Sequence, residues 1–410
     1  MNTSRRKFLQ TTVGSSALLS MSPAAPQFLL QTSAAAETKK TAGGNILVVI
    51  QLSGGNDGLN TVVPYANDIY NANRFTLRIN PGQVLKINDE VGFHPAMSGF
   101  SELLEEGKLS VLQGIGYPNP NRSHFSSMDI WHTGHHNEKD RSTGWLGRYL
   151  DRSASDGGDV PALHLGTDQQ PLALAGEHVQ VPTAASMEDF KLDVGGDSHL
   201  RGAIRNHAEI ERKEADSLLG FLQQSTLGAF ASSQRVQEAL SKYQTSTDYP
   251  SFPLARRLRT VAQLIDAEMS TPIYYLTLDG FDTHANQSNA HSSLLSQLSQ
   301  SVAAFIKDLT EHGHDQRVLV MTFSEFGRRL KENASQGTDH GVAAPMFLAG
   351  GKLKPGLIGR HPSLTDLDKG DLKHHTDFRQ VYAAILDGWL RFDSKTVLGK
   401  EFQPAAVFKG

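Results

Sequence analysis

Apolar residues in this chain gather into short, near-continuous runs. Asn45–Leu52 is the first, and Leu109–Gly114, Ile273–Leu278, Arg317–Thr322 and Pro345–Gly350 follow. A strand with one face in water alternates apolar and polar residues, whereas a strand covered on both faces reads as an unbroken apolar run. Between these runs the apolar spacing lengthens to that of a helix. Phe93–Leu104 and Leu294–Glu311 have that spacing. So does Asp377–Leu390, with Phe378, Val381, Ile385 and Leu386 on one face and Thr376 or Asp377 as its cap. Strands alternating with helices predict an α/β fold, a mainly parallel sheet sandwiched by helices. Residues 198–268 are helical in pattern and rich in charge, and Pro250 and Pro253 break them. They predict a helical insertion within a single α/β domain spanning 37–410.

The first residues read as an address. Ser4-Arg5-Arg6-Lys7-Phe8-Leu9 precedes a weakly apolar stretch and then Ala34-Ala35-Ala36. A basic start, a modest apolar segment and small residues before a cleavage point form a secretory signal, and the paired arginines make it twin-arginine in type. This predicts a signal peptide over 1–36, the twin-arginine translocase as partner during export, and a periplasmic or secreted location. Pro23 and Pro26 interrupt the apolar stretch, and no later run approaches the roughly 20 apolar residues of a transmembrane helix.

Composition narrows the chemistry. The chain has 410 residues, a net charge of −4, 17 histidines and no cysteine. The mild negative charge gives no support to a nucleic-acid partner. Without thiolates, a bound metal must be held by Asp, Glu, His, Asn or hydroxyl groups.

Four segments carry ligand-type residues just after predicted strands, where ligands bind in open α/β sheets. Asp279-Gly280-Phe281-Asp282-Thr283-His284 is the densest, with Asp279 and His284 as the expected ligand pair and Asp282 in reserve. A carboxylate with an imidazole suits zinc, manganese or iron. Ser53-Gly54-Gly55-Asn56-Asp57-Gly58 offers Asp57, although such a sequence also forms an ordinary turn. Asn121-Arg122-Ser123-His124-Phe125-Ser126 places Ser123 at a helix start, as a nucleophile or as a simple cap, with Arg122 or His124 nearby for charge. Ser324-Glu325-Phe326-Gly327-Arg328 and Gly337-Thr338-Asp339-His340-Gly341 supply Glu325 and His340 as ligands. Arg328 is suited to a phosphate or sulfate, or to pairing with Glu325. His374 and His375 read as surface residues, and His132, His135 and His136 as a histidine-rich loop.

These motifs, with the twin-arginine start, resemble the secreted bacterial family numbered as domain of unknown function 1501. Their order also resembles, more distantly, the alkaline-phosphatase-like superfamily of phosphatases, sulfatases and phosphoglycerate mutases. That resemblance implies an alkaline-phosphatase-like fold and divalent metal, zinc, manganese or calcium, beside a hydroxyl nucleophile. It places Ser123 at the nucleophile and Asp57, Asp279, His284 and His340 among the ligands. It also puts Phe326 where the superfamily carries a ligating histidine, and a phenyl ring cannot ligate. The expected function is a metal-dependent hydrolase of phosphate or sulfate esters, acting on a small anionic ester or a polysaccharide with Ser123, His124 and Arg328 as catalytic groups. A non-catalytic secreted binding or assembly module on the same scaffold is the alternative.

Overall fold

A computed structural model describes residues 44–153, 161–184, 241–269 and 271–409. The expected signal peptide and most of the expected helical insertion lie outside the described residues.

Nine strands form the main sheet. They are β1 (Ile46–Ser53), β2 (Leu109–Gly116), β3 (Ala162–Leu165), β4 (Thr183–Ala184), β5 (Ile273–Asp279), β6 (Val318–Phe323), β7 (Ala344–Gly350), β8 (Gly356–Ile358) and β9 (Thr376–Asp377). Their spatial order is β8-β2-β7-β6-β1-β5-β3-β4, with β9 also paired to β2. β1 is central and parallel to both β5 and β6. β7 alone runs antiparallel, to β2 and to β6. The sheet is therefore mixed and mostly parallel. Because β7 is reversed, the chain entering it lies at the edge where β1, β2, β5 and β6 end.

Period-two geometry explains why β1 is apolar throughout. Ile46, Val48, Ile50 and Leu52 join one buried cluster, while Leu47 and Val49 join another on the opposite face. Helices α1 (Ser98–Glu105), α4 (Pro253–Asp266) and α5 (Gln287–Glu311) cover the first face. α2 (His124–Thr133), α3 (Trp145–Ser153) and α6 (Phe378–Ala384) cover the second. The sheet is thus sandwiched by helices, as the sequence predicts.

Local chemistry sets the helix ends. Asp377 caps α6 in a reciprocal box with Gln380, and Gly134 ends α2 at a φ of 70°. Pro253 does not break a helix but begins α4, where its missing N–H goes unneeded. The helix expected from Phe93 starts at Ser98, because Phe93 pairs in a small sheet with Val62 and Leu85. α5 begins at Gln287, seven residues before the Leu294 start expected from apolar spacing. His132 is buried against Gln51 and Tyr275, so it belongs to the core rather than to a surface loop.

Candidate metal centre

Four chain segments meet at the carboxyl edge of the sheet. The loop after β5 brings Asp282 and His284, α2 begins with His124, and a hairpin brings Arg328 and His340. The hairpin pairs Arg328–Glu332 with Thr338–His340 and sets Arg328 directly opposite His340. The loop after β1 packs beneath them. Gly54 has a φ of 117°, and a Cβ there would come 2.3 Å from the backbone nitrogen of Asp282. Only glycine allows that approach without strain.

Three imidazole Nε2 atoms converge on one carboxylate oxygen. Asp282 Oδ1 lies 3.1 Å from His284 Nε2, 3.2 Å from His340 Nε2 and 3.4 Å from His124 Nε2. His284 and His340 Nε2 stand 2.8 Å apart. The ligating atoms of His124, Asp282 and His340 all fall within 4.8 Å of one another. An ion holding nitrogen ligands tetrahedrally at about 2.0–2.1 Å sets them roughly 3.3 Å apart, the same scale. His124 Nε2 is buried and makes no hydrogen bond among the described residues. A buried nitrogen left without a partner, aimed at a carboxylate and two imidazoles, fits a metal position.

The other nitrogen of each ring is held from behind. His124 Nδ1 lies 2.8 Å from Glu325 Oε1. His340 Nδ1 lies 2.8 Å from the Arg122 carbonyl, which can only accept. His284 Nδ1 is 3.5 Å from Asp339 Oδ1. Ligating histidines are typically oriented in this way, with Nδ1 against a carbonyl or carboxylate and Nε2 free to bind. The nitrogen-rich donor set suits zinc best, with the Asp282 carboxylate the one oxygen donor of the kind manganese favours. It suits calcium least, because calcium takes about six to eight oxygen ligands.

Electrostatics differ among the members. Burial pushes the Asp282 carboxyl up, but hydrogen bonds from Arg328 and His340 and the Arg328 charge outweigh it, holding the group down at about 2. The hydrogen bond that His124 donates to Glu325 raises the His124 pKa against the opposing effect of burial. Burial lowers His340, despite its bonds to the Arg122 carbonyl and Asp282.

Several expected residues lie elsewhere or have other partners. Asp57 is fully buried and its carboxylate is taken up, receiving both terminal nitrogens of Arg74 and the Gln287 amide. Asp279 is exposed, and its Oδ1 accepts from the N–H of Gly280; Asp282 stands in the cluster in its place. Glu325 lies behind His124, with Oε1 also receiving the Gly54 N–H and Oε2 the Ser324 hydroxyl. Arg328 is buried and donates to the carbonyls of Gly54, Gly55, Phe281 and Thr338 and to Asp282. It clamps three loops together instead of presenting its guanidinium to a ligand. His124, expected near the reaction for its charge, is part of the nitrogen cluster. His284 and His340 are brought together, and Ser123 precedes His124 at the exposed start of α2. The Ser123 side chain makes no capping bond there. Phe326 is buried with its ring centroid 5.0 Å from that of His124 and 4.5 Å from that of His340.

Arg74 and Gln287 also help to build this site, by holding Asp57. Gln287 Nε2 donates to Asp57 while Oε1 accepts from the hydroxyls of Thr283 and Thr338. It thereby joins the residues flanking His284 and His340. No local motif announces either residue. The one available signal is a buried carboxylate that must find a cation.

No helix among the described residues is long and apolar enough to cross a membrane. Solved structures similar to this chain are distant. The C-terminal periplasmic domain of EcEptC from Escherichia coli, in complex with Zn, shares 9% identity over 77% of this chain and 75% of that one, with a TM-score of 0.36. The PsFucS1 sulfatase from Pseudoalteromonas sp. shares 8% identity over 95% and 72%, with a TM-score of 0.38. A mutant TAB5 alkaline phosphatase with bound Mg shares 9% identity over 75% and 92%, with a TM-score of 0.32. No curated protein sequence matches the chain. Residues 45–389 match DUF1501, described as a protein of unknown function, and the chain belongs to that family.

Proposed function

We propose that this protein is an exported, metal-dependent hydrolase of phosphate or sulfate esters. The observation that carries this reading is the convergence of three imidazole Nε2 atoms on Asp282 Oδ1. The helix bearing Ser123 starts beside them. Asp282, His124, His340 and His284 would hold a zinc or manganese ion. Such an ion polarises an ester oxygen and lowers the pKa of a nearby hydroxyl or water. The chain's own groups do the rest. Glu325 and the Arg122 carbonyl fix two of the rings, and Arg328 fixes the loops that carry the donors. The Ser123 oxygen forms the new bond to phosphorus or sulfur as the ester bond to the alcohol oxygen breaks, and the serine proton passes through solvent to that departing oxygen. Water then releases phosphate or sulfate and restores the hydroxyl. If no covalent step occurs, Ser123 positions the attacking water. The paired arginines at the N-terminus support export to the periplasm through the twin-arginine translocase. The substrate is a small anionic ester or an ester group on a polysaccharide.

The test is hydrolysis of aryl phosphates and aryl sulfates by purified protein supplied with zinc, manganese or calcium. Activity is expected with zinc or manganese and is expected to be lost in Ser123→Ala and His284→Ala. No cleavage of either ester class with any of these metals would overturn the hydrolase reading.

Phe326 favours a second reading. Its ring lies against His124 and His340 and offers no ligating atom there. A module that binds an anionic glycan without cleaving it would tolerate that loss. Its mark would be metal-dependent glycan binding that survives Ser123→Ala.

A further inference from the structure

Large apolar side chains among the described residues are buried or half-buried, with two conspicuous exceptions. Phe75 is 76% exposed and Phe125 is 86% exposed. Phe75 has a partner, because the Arg78 guanidinium lies 5.8 Å from its ring centroid. Phe125 has no ring or cation partner among the described residues. The helix does not need this ring for packing. In its middle α2 buries Ser127, Ile130 and Trp131 at helical spacing, on the side away from Phe125; His132, on the Phe125 side, and Thr133 are buried only in the last turn. Leaving such a ring in water forgoes about 1.5–3 kcal/mol of burial. It follows His124 directly, in the first turn of the helix that supplies one of the proposed ligands.

Resting on the hydrolase reading, we infer that Phe125 is the platform for the organic part of the substrate. The substrate is then an ester whose alcohol has a flat apolar face, either an aromatic ring or the C–H face of a sugar. Neighbouring residues on a helix point about 100° apart. His124 turns inward toward Glu325 and Asp282, and Phe125 turns outward to solvent. An ester held at the cluster with its alcohol directed along the first turn of α2 would lie over the ring. On the other flank of Ser123, the Arg122 side chain is 43% exposed and paired with Asp371. An aromatic face pressed against another flat face gains about 0.5–1.5 kcal/mol beyond area burial.

The experiment uses full-length, metal-loaded protein with para-nitrophenyl sulfate, a glucose sulfate and methyl sulfate, and with the corresponding phosphates. Phe125→Ala is expected to lower the preference for ring-bearing over methyl esters about tenfold, through KM, and Phe125→Trp to restore it. Metal content should match wild type in both. A loss confined to the nitrophenyl esters identifies an aryl substrate, and a loss that includes the glucose esters identifies a sugar. An unchanged preference in Phe125→Ala overturns the inference while leaving the hydrolase reading intact. If wild type cleaves nothing, saturation-transfer NMR of para-nitrophenyl sulfate decides separately. Transfer to the ring that disappears in Phe125→Ala supports the platform, and equal transfer overturns it. Loss of binding to phosphatidylglycerol vesicles with an unchanged ester preference would make Phe125 a membrane contact and also overturn it.

Discussion

Asp57 and Asp282 both follow strands at the carboxyl edge, yet their surroundings give them different work. Asp57 is paired with Arg74 at full burial. Removing it in Asp57→Ala would strand the guanidinium, and loss of one partner of a buried ion pair costs about 3–5 kcal/mol. Urea denaturation should show that loss, with metal content unchanged in the folded fraction. Metal loss at unchanged stability would instead make Asp57 a ligand. Glu325→Gln tests the opposite relationship. The amide keeps the size of the side chain but presents only one acceptor where two oxygens now receive Gly54, His124 and Ser324. Metal affinity, read by competition with a chelating dye, should fall by about 10–100-fold. Unchanged affinity would show that His124 needs no support from behind. The sequence displayed the right residue types here without their partners. Arg74 reaches Asp57 across 17 positions and Glu325 reaches His124 across 201. Spacing within a motif carries no record of such contacts.

At the scale of elements, Gln287 joins the loop after β1, the loop after β5 and the hairpin. Gln287→Ala removes the donor to Asp57 and the acceptor for Thr283 and Thr338. The variant should melt lower and bind metal more weakly. Normal affinity at reduced stability would separate the buried network from the metal centre. The strands were the most legible elements. Buried runs of Val, Ile and Leu admit few other readings, and Ile46–Ser53, Ile273–Asp279 and Val318–Phe323 lie within one residue of expectation at each end. The reversal of β7 was not legible, because strand direction is set by pairing rather than by composition. The start of the helix at Ser98 is hidden in the sequence for a related reason. Phe93 fits a helical apolar pattern, but its pairing with Val62 and Leu85 overrides that preference.

The whole molecule should also respond to acid. Burial holds His94 and His291 at about 4 and His132 at about 3, below the ordinary 6.5. The folded chain keeps these rings neutral, while the unfolded chain protonates them below pH 6.5. Their contribution to stability is therefore present above 6.5 and is lost as pH falls toward 4. Each ring can contribute a slope of up to about 1.4 kcal/mol per pH unit in that window. Urea midpoints should drop between pH 7.5 and pH 5, and a flat profile would contradict the burial of these rings. The α/β layering was legible throughout because every buried layer leaves an apolar signature. The assembled centre was legible only as scattered candidates, since Asp282, His124 and His340 meet through folding alone. Metal analysis of protein exported by its own signal, beside a purified His340→Ala, Asp282→Ala double variant, tests that centre most directly. The expected result is one zinc or manganese ion per wild-type chain and none in the folded double variant. Wild-type protein that takes up neither metal, or a double variant that retains the ion, would contradict it.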